Sequence, residues 1–526
     1  MNTENPVILA DLIRAWCEKE PQRDILTFVE IDRDGGYRET TRNYRQLWEN
    51  GQRLAEWLQD RGMKKGDTFA IIMQNHPEFV DLMVASSILG TVFVPIDPRT
   101  RGRKLQYQLD FAECKGAFVA GYALDEFRAL PGNRWICTVE AEAGDEARIE
   151  EIMLAPLPSP QLPIESTNPN DPMQILYTSG TTGDPKAILT SHGRYAVSAT
   201  LPAVFGLDDS DCIYTGLSLT HANAQVVSLG MILHAGIRGV ISRKFTKSRL
   251  WDITRRYGCT FFNLLGGMTT AIYAEPLRGD DADNPVRLIL SAGMPAAIWA
   301  DFAKRFGVEL FEFYGAAEGG LTFNPTGVGP VGSCGKAPPS LQLAILDENG
   351  EPVAPGVSGE ICFRNADGSC PELTYLKNRE ATAEKTKGGW LHMGDVGHVD
   401  DQGWLFFEYR MGGGIRKNGD FINTAYVEKA LSENPGVDDV FVYGAAVAEG
   451  LAPGEKQVVA AVVPSAGESF DARALFRHCR EKLDANSVPD FIQVVSRIPK
   501  TASEKPQERF LLEALDTGAD NVFAQE

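Results

Sequence analysis

Short apolar runs alternate along this chain with longer segments whose apolar residues recur at helical spacing. Residues 44–58 carry apolar side chains three or four positions apart and are followed by Gly62, so a helix is predicted there. The compact apolar runs at 68–73, 91–96 and 116–120 are predicted to be buried strands. Strands that alternate with helices at this pitch indicate βαβ units and a largely parallel sheet. The pattern therefore predicts an α/β fold.

The pattern changes twice further along the chain. A connector rich in proline and asparagine at 155–171 separates two alternating regions. In the second region the strand candidates are 212–215, 239–242, 260–265 and 288–291. Short strands and turns at 335–407 then predict a small β unit, and short α+β elements begin after Arg410. We therefore expect a large N-terminal domain, residues 1–410, and a small C-terminal domain, residues 411–526.

Composition and charge exclude several classes of protein. A chain of 526 residues is too long for one hydrophobic core, so several subdomains are expected. Its 51 basic and 71 acidic residues give a net charge of −20, which argues against a nucleic-acid scaffold or a protein that relies on anionic lipid. The nine cysteines are dispersed without CxxC spacing, which is typical of free thiols in a reducing compartment and not of a zinc site.

Stable membrane insertion and secretion are not predicted. The longest apolar stretch, 79–96, is interrupted by Asp81 and Pro95, so it is interpreted as a core helix followed by a strand. The first residues are acidic, and no apolar signal region follows them. A cytoplasmic protein is therefore expected.

The strongest chemical signal is a loop that follows the apolar run 175–177. The loop combines hydroxyls and glycines and closes on a lysine: Thr178, Ser179, Gly180, Thr181, Thr182, Gly183 and Lys186. Glycines let backbone N–H groups turn toward an anion, hydroxyls donate hydrogen bonds, and Lys186 adds a mobile positive charge. It is not a Walker loop, because Pro185 precedes the lysine and Ala187 follows it. A polyphosphate-binding loop is predicted, with a flexible surface turn as the alternative.

Further candidates carry groups that suit a nucleotide. The aromatic face of Tyr314 can stack on a purine, and the Glu318 carboxylate is a hard oxygen ligand suited to Mg²⁺. Asp395, at the end of a turn, can accept both hydroxyls of a ribose, and Arg410 stands at the domain boundary. Lys505 lies on a polar loop near the C-terminus. Taken singly, Asp395 is also interpretable as a turn residue, Glu318 as a solvated acid and Lys505 as an exposed lysine.

In order and spacing these motifs resemble the acyl-adenylate-forming enzymes, which include acyl-CoA synthetases, peptide-synthetase adenylation domains and firefly luciferase. The resemblance extends from the helix at 44–58 to Lys505. It implies two packed αβ subdomains plus a distorted β-barrel, capped by a small mobile α+β C-terminal domain. It also implies an ATP-dependent carboxylate–CoA ligase. Such an enzyme joins a carboxylic acid to AMP, releases pyrophosphate, and then passes the acyl group to coenzyme A, with Mg²⁺ bound to the ATP.

The resemblance also assigns roles to the nucleotide candidates. It gives the loop at 178–186, with Thr178 among the catalytic residues, to the pyrophosphate side, and it gives Mg²⁺ to Glu318. Asp395 and Arg410 would hold the ribose. Lys505 would neutralise the charge that develops between carboxylate and phosphate. The residues that would frame the adenine are Ala292, Gly293, Tyr314 and Gly315.

Two departures from the family pattern concern the moving domain. By resemblance this domain rotates just after Arg410 and brings Gly419 to the acyl-AMP, where its lack of a side chain leaves room for the pantetheine arm of coenzyme A. The family usually has Lys-Asp after the hinge arginine, whereas this chain has glycines at 412–414, which loosen the hinge. Glu504 replaces the usual glycine before Lys505, so Lys500 remains a competing candidate.

The acyl site is only partly readable from the sequence. His221 falls where the family keeps a ring that gates the acyl site, although a structural histidine is equally expected. Asn223 and Gln225 suggest polar acyl recognition, and the glycine pair 319–320 is expected to leave space for the acid. This local pattern, with the unusual hinge, is most similar to the crotonobetaine/carnitine–CoA ligase branch.

Two other functions remain open at this point. One is an acyl-AMP ligase that loads a separate carrier protein, and the other is a nucleotide-binding regulator that has lost catalysis. The oligomeric state is also open, and a homodimer is one possibility.

Overall fold

The computed structural model describes residues 6–142, 144, 146–177, 185–411, 415–417, 420–422, 424–447, 451, 455–465, 470–483, 485–501 and 506–525. The chain divides into two compact units. The first comprises Met1–Thr246, Asp252–Phe262 and Thr374–Arg379. The second comprises Lys247–Trp251, Asn263–Leu373 and Glu380–Glu526. Each unit is described by itself.

The first unit is built from two sheets and their flanking helices. Its strands are β1 Asp24–Ile31, β2 Tyr37–Asn43, β3 Thr68–Ile72, β4 Val92–Ile96, β5 Gly116–Ala120, β6 Trp135–Val139, β7 Ala147–Arg148, β8 Pro172–Tyr177, β9 Ala187–Ser191, β10 Cys212–Thr215 and β11 Arg238–Ser242. Its helices are α1 Leu9–Lys19, α2 Tyr44–Asp60, α3 Pro77–Leu89, α4 Gly102–Phe111, α5 Leu124–Arg128, α6 Ile149–Leu154, α7 His192–Tyr195, α8 Leu201–Phe205 and α9 Met231–Ala235. A π-helix, Asn223–Gly230, precedes α9.

Three elements extend across the boundary between the units: α10 Leu250–Tyr257, β12 Phe261–Leu265 and α13 Arg379–Lys385. The second unit has strands β13 Leu288–Ala292, β14 Glu309–Ala316, β15 Gly319–Asn324, β16 Leu341–Leu346, β17 Gly359–Asn365, β18 Leu391–Val399, β19 Leu405–Arg410, β20 Arg416–Lys417, β21 Asp420–Phe421, β22 Val437–Ala445, β23 Gln457–Pro464, β24 Phe491–Val494 and β25 Val522–Ala524. Its helices are α11 Gly266–Tyr273, α12 Ala296–Phe306, α14 Thr424–Ser432, α15 Ala472–Lys482 and α16 Glu508–Glu513.

The sheets of the first unit are mostly parallel, which confirms the predicted α/β class. One has the order β7-β6-β5-β3-β4-β8-β9, and only the β8–β9 pair is antiparallel. In the other, β10, β11 and β1 run parallel, and β2 returns antiparallel to β1. Helices connect successive parallel strands, because a parallel neighbour requires a crossover on the sheet face.

The start of α2 shows how local chemistry fixes an element. Asn43 accepts a hydrogen bond from the backbone N–H of Gln46, and the Gln46 side chain accepts one from the backbone N–H of Asn43. This capping box satisfies two N–H groups that a helix end leaves without partners. The helix predicted at 44–58 is confirmed.

The stretch 79–96 is a core helix followed by a strand, as predicted. Asp81, which interrupts it, is fully buried in α3 and pairs with Arg42 at 2.9 Å between Nη2 and Oδ2. A buried carboxylate requires such a partner because its charge has left water. No helix among the described residues is long and apolar enough to cross a membrane.

The described part of the second unit holds a short parallel pair, a hairpin, a four-stranded antiparallel meander and the C-terminal sheet. Strand β13 runs parallel to β14, which forms a hairpin with β15. Strands β16 to β19 form an antiparallel meander. The expected distorted barrel is not seen as a closed barrel: within the described part of the chain this four-stranded sheet has two free ends in its strand order. Strands β22 to β25 form the sheet of the small C-terminal α+β region, with α14 and α15 packed on its apolar face.

Candidate nucleotide site

The predicted phosphate loop joins two paired strands of the first unit. Tyr177, the last residue of β8, pairs with Ala187, the first residue of β9. Residues 178–184 lie outside the described residues, so the seven residues that include Thr178, Ser179, Gly180, Thr181, Thr182 and Gly183 stay a prediction. The pairing nevertheless brings both ends of the loop together at one sheet edge, as a compact anion-binding turn requires.

Lys186 is presented at the end of that hairpin. Its side chain is exposed, and its Nζ lies 5.1 Å from the ring centroid of Tyr375, which is itself buried. Tyr375 is held beside β9 by a bridge to Ile188. The ring face attracts the ammonium group without neutralising it, so the lysine keeps its charge for an anionic ligand.

In the second unit the structure brings Tyr314, Asp395 and Arg410 together. Asp395 on β18 is directly opposite Arg410 on β19 in the strand register. Arg410 Nη1 donates to Asp395 Oδ1 at 3.1 Å, and the Tyr314 hydroxyl donates to Oδ2 at 2.5 Å. Asp395 is only 5% exposed, whereas the Arg410 side chain is 55% exposed. The carboxylate is therefore oriented from two sides and retains lone pairs for further donors.

Aromatic rings of the antiparallel meander surround Tyr314. Its ring stacks near that of Phe363, with centroids 6.3 Å apart and planes 17° apart, and Phe407 lies at 6.4 Å. Burial, followed by the Asp395 charge, raises the pKa of the Tyr314 hydroxyl well above its usual range. Tyr314 therefore remains a neutral hydrogen-bond donor to Asp395.

Glu318 lies in the two-residue turn between β14 and β15. The turn follows Ala316, which pairs with Gly319 across the hairpin, and the Glu318 side chain is half-buried. A tight hairpin places this carboxylate two residues beyond the end of β14, the strand that carries Tyr314. That position and its partial exposure are compatible with a Mg²⁺ ligand.

Glu312, which the sequence did not single out, organises the predicted adenine segment. Its carboxyl group is fully buried on β14 and accepts hydrogen bonds from the backbone N–H groups of Gly293 at 2.5 Å and Met294 at 3.2 Å. Gly293 has a φ of +96°, a conformation that suits glycine. Ser291 is opposite Glu312 in the β13–β14 register, so the strand pairing itself delivers the acid to this turn. Ala292 and Gly293 are thereby fixed beside the Tyr314 strand.

The buried Glu312 carboxyl group should make the free energy of unfolding depend on pH. Burial raises the pKa of Glu312 to about 8, although the N–H groups of Gly293 and Met294 oppose the rise. The stabilising contribution of its protonated form is complete below the unfolded pKa and is lost as the pH rises through about 8. We expect the free energy of unfolding of Glu312→Gln, measured with denaturant, to rise relative to that of wild type by on the order of 3 kcal/mol as the pH increases from about 5 to about 9. Glu309→Gln, at the exposed start of the same strand, is the matched control, and a parallel pH response of E312Q and wild type would contradict the assignment.

The structure describes the three residues predicted for the acyl site, His221, Asn223 and Gln225. His221 lies in a turn of the first unit, where its backbone N–H donates to Ser218 O at 3.1 Å and its carbonyl accepts from Gln225 N at 3.1 Å. Gln225 is fully buried, and its amide donates to Leu219 O at 2.5 Å. This bond holds the turn around His221, whereas Gln225 Oε1 is a buried acceptor with no hydrogen-bond partner among the described residues, so polar acyl recognition by Gln225 stays a prediction. Asn223 begins the π-helix and stays a candidate.

The expectation that the glycine pair 319–320 leaves space for the acid is wrong. A Cβ at Gly319 would meet Leu391 Cδ2 at 2.9 Å, and one at Gly320 would meet the Phe363 ring at 2.7 Å and Met393 Sδ at 2.9 Å. Protein side chains therefore fill the space. These glycines are required for close packing of β15 against the meander.

Comparisons with known proteins identify the family. The sequence profile described as AMP-binding enzyme matches residues 13–369, and that of the AMP-binding enzyme C-terminal domain matches residues 426–505. The medium/long-chain-fatty-acid–CoA ligase FadD17 of Mycobacterium tuberculosis is 31% identical over 500 residues, covering 93% of this chain and 95% of that protein. This chain belongs to the AMP-binding enzyme family.

Other members of the family extend the comparison. The crotonobetaine/carnitine–CoA ligase of Salmonella heidelberg is 26% identical over 486 residues, which are 88% of this chain and 91% of that protein. The structure of the anthranilate CoA ligase AuaEII with anthranoyl-AMP has a TM-score of 0.82 at 23% identity and covers 97% of this chain and 98% of that one. The latter comparison confirms the fold.

Family membership confirms the predicted class of reaction. The protein is an AMP-forming carboxylate–CoA ligase, an acid–thiol ligase that uses ATP with Mg²⁺ and coenzyme A and acts on a carboxylic acid. The family is shared by fatty-acid and crotonobetaine/carnitine ligases, so it does not by itself select the branch that the sequence pattern favoured.

Several predicted residues lie outside the described part of the chain: the loop residues 178–184, the hinge glycines 412–414, Gly419 and Lys505. Their roles stay predictions. Lys500, the competitor of Lys505, is described, and its Nζ lies 2.6 Å from Asp439 Oδ2 in an ion pair whose side chains are 18% and 23% exposed. This pairing gives Lys500 a structural role within the C-terminal region.

Proposed function

We propose that this ligase activates a carboxylic acid with an apolar chain of medium or greater length and transfers it to coenzyme A. The observation that carries the proposal is a lack of charge in the sequence. The segments 220–225, 264–268 and 291–294, from which we expect side chains of the acyl pocket to come, contain no acidic side chain and no aromatic side chain apart from His221. A quaternary ammonium substrate such as carnitine needs a carboxylate or an aromatic cage. The 31% identity to a medium/long-chain-fatty-acid ligase supports the same choice.

In this proposal the second unit binds the nucleoside. Asp395 accepts the two ribose hydroxyls, because Tyr314 and Arg410 orient its oxygens and each oxygen has a further lone pair. Arg410, with its exposed guanidinium, offers its remaining N–H groups to the same sugar. The adenine lies against the turn that Glu312 holds at Ala292 and Gly293, and Gly315 lets it approach the β14 backbone.

The phosphates and the metal are assigned to the loop at 178–186 and to Glu318. Lys186 and the loop donors bind the leaving pyrophosphate, since charge accumulates there as the acid attacks the α-phosphate. The half-buried carboxylate of Glu318 fits an oxygen ligand for Mg²⁺. When bound, Mg²⁺ neutralises part of the phosphate charge and makes the α-phosphorus more electrophilic.

The C-terminal region, residues 411–526, serves the two half-reactions in turn. Lys505 stabilises the adenylation transition state, and rotation after Arg410 replaces it with the segment around Gly419, which admits the pantetheine arm. His221 gates the acyl site. These roles rest on the family resemblance, and a homodimer and a cytoplasmic location remain further parts of the proposal.

A panel of acids tests the proposal. Purified protein, ATP and Mg²⁺ are mixed with acids of increasing chain length, with benzoate and with crotonobetaine and carnitine, and AMP and acyl-CoA are measured with and without coenzyme A. We expect kcat/KM to rise about fourfold for each added methylene over part of the series, since a buried methylene contributes about 0.8 kcal/mol. A preference for crotonobetaine or carnitine would contradict the proposal. Pyrophosphate exchange without use of coenzyme A would favour a carrier-protein acceptor, and no turnover with any acid would favour a regulator.

A further inference from the structure

The β-bulge that precedes Asp395 in β18 is held on three sides. The carbonyl oxygen of Met393 accepts a hydrogen bond from Lys385 Nζ at 3.0 Å. The backbone N–H of Gly394 donates to Glu360 Oε1 at 3.0 Å. The carbonyl of Gly394 accepts from the backbone N–H of Met411 at 2.9 Å. We call Met393 and Gly394, with these three contacts, the clamped bulge.

The clamped bulge has little freedom to relax in another way. Gly394 has a φ of +71°, which other residues rarely adopt, and a Cβ there would lie 3.8 Å from Lys385 Nζ. Asp395 follows directly and is already fixed by Tyr314 and Arg410. Any change in the bulge therefore alters the direction of the carboxylate, because Asp395 is the next residue along the backbone.

Lys385 is an unusual residue to find here. It ends α13, most of its side chain is buried, and its ammonium group lies within the electrostatic reach of Glu318, Asp395 and Glu360, with Arg410 opposing them. Burial lowers its pKa, while these carboxylates raise it. One ammonium group among three carboxylates lets them stay close together without mutual repulsion.

Glu360 provides the second support of the bulge. Its other oxygen, Oε2, lies 2.8 Å from His392 Nδ1, and His392 Nε2 lies 3.1 Å from the carbonyl of Lys387. The hydrogen bond to Glu360 raises the pKa of His392, in keeping with a charged imidazolium that donates at both nitrogens. Cys362 Sγ is 3.5 Å from the same Nδ1, but the carboxylate and the imidazole already have protein partners.

We infer that Lys385 is a positioning residue for ribose recognition: its ammonium group holds the clamped bulge so that the Asp395 carboxylate faces both hydroxyls of the sugar. The inference rests on the proposed role of Asp395 in nucleotide binding. Lys385 does not touch the nucleotide itself. It acts through the carbonyl of Met393, and the Met411 bond links the same bulge to the start of the hinge.

Equilibrium binding of nucleotides tests the inference without any acid or coenzyme A. Dissociation constants for ATP, 2′-deoxy-ATP and 3′-deoxy-ATP are measured by calorimetry for wild type and for Lys385→Met, which keeps an unbranched side chain of similar length but removes the charge. We expect K385M to bind ATP about 10- to 100-fold more weakly, as for the loss of a charged hydrogen bond, and to bind the deoxy analogues less than about threefold more weakly. Discrimination between ATP and its analogues should therefore collapse.

Three further variants sharpen the result. Lys387→Met is the matched control, because Lys387 is exposed, lies two positions further on and has no side-chain contact among the described residues. Lys385→Arg should restore part of the ribose discrimination, and it serves as the second variant if K385M does not fold. In the background of Asp395→Asn, K385M should add less than about threefold, because both changes remove the same contact.

The outcomes separate the inference from the proposed function. Equal weakening of ATP and both deoxy analogues by K385M would overturn the inference, since the lysine would then act as a general cation. A wild-type protein that binds ATP without preference for the ribose hydroxyls would overturn it as well. The proposed function would fail in a different way. Wild type would then release no AMP, or prefer a different acid, while it still discriminated between ATP and its deoxy analogues.

Discussion

Replacing Asp395 by alanine is expected to reduce kcat/KM for ATP by about 10²- to 10⁴-fold, the largest loss predicted for any single residue described. The carboxylate is 5% exposed, so its interactions with the ribose hydroxyls are made away from bulk water. Each hydrogen bond to a charged group contributes about 1.5–3 kcal/mol, and two such bonds are lost together. The variant also leaves the buried Tyr314 hydroxyl without its acceptor.

The control for this experiment lies in the same hairpin. Asp401 is an exposed acid in the turn between β18 and β19 with no side-chain contact among the described residues, and Asp401→Ala should retain the wild-type kcat/KM. Calorimetric binding of ATP and a thermal melt should accompany the kinetics, so that a folding defect is recognised. A loss of less than about tenfold for D395A, in a folded protein, would contradict the proposed ribose contact.

Replacing Lys505 by alanine should separate the two half-reactions. If Lys505 neutralises charge between the carboxylate and the α-phosphate, its loss removes transition-state stabilisation from adenylation alone, and removing one such group costs about 10²- to 10³-fold. Pyrophosphate release from ATP and acid should fall by that factor. Conversion of added acyl-AMP and coenzyme A to acyl-CoA should change by less than about fivefold, because that step uses the other orientation of the C-terminal region.

Lys500 supplies the matched control for Lys505. Its ammonium group is paired with the largely buried Asp439 carboxylate, so Lys500→Ala should lower the free energy of unfolding by about 1–3 kcal/mol and leave adenylation intact. Equal losses in both half-reactions for K505A would refute the assignment. A larger adenylation defect in K500A than in K505A would transfer the catalytic role to Lys500.

The elements themselves were accessible from the sequence because their signals are local. Apolar runs of four or five residues bounded by turn residues predicted β5 and β10 with the bounds that the structure shows. The helical spacing at 44–58 predicted α2, and the Asn43 capping box explains where it begins. The order of the chemical motifs also identified the family. A motif is recognised by its residue types and their spacing along the chain, and neither depends on tertiary contacts.

The partners of polar side chains were decided by the tertiary structure. Glu312 lies in an apolar run of the sequence. Only the pairing of β13 with β14 places its carboxyl group next to the backbone N–H groups of Gly293 and Met294. Lys385 has no motif of its own, and α13 brings it to Met393. The role of neither residue could therefore be predicted from a local pattern in the sequence.

The wrong prediction for the glycine pair 319–320 has a similar cause. The pair was judged by composition, as empty space. The fold fills that space with Phe363 and Met393, and it also directs the Gln225 amide nitrogen to Leu219. The sequence by itself determined the elements, their order and the chemistry of the family, because these depend on neighbours along the chain. Hydrogen-bond partners, packing and the support of Asp395 depend on residues brought together from distant positions, and only the tertiary structure decided them.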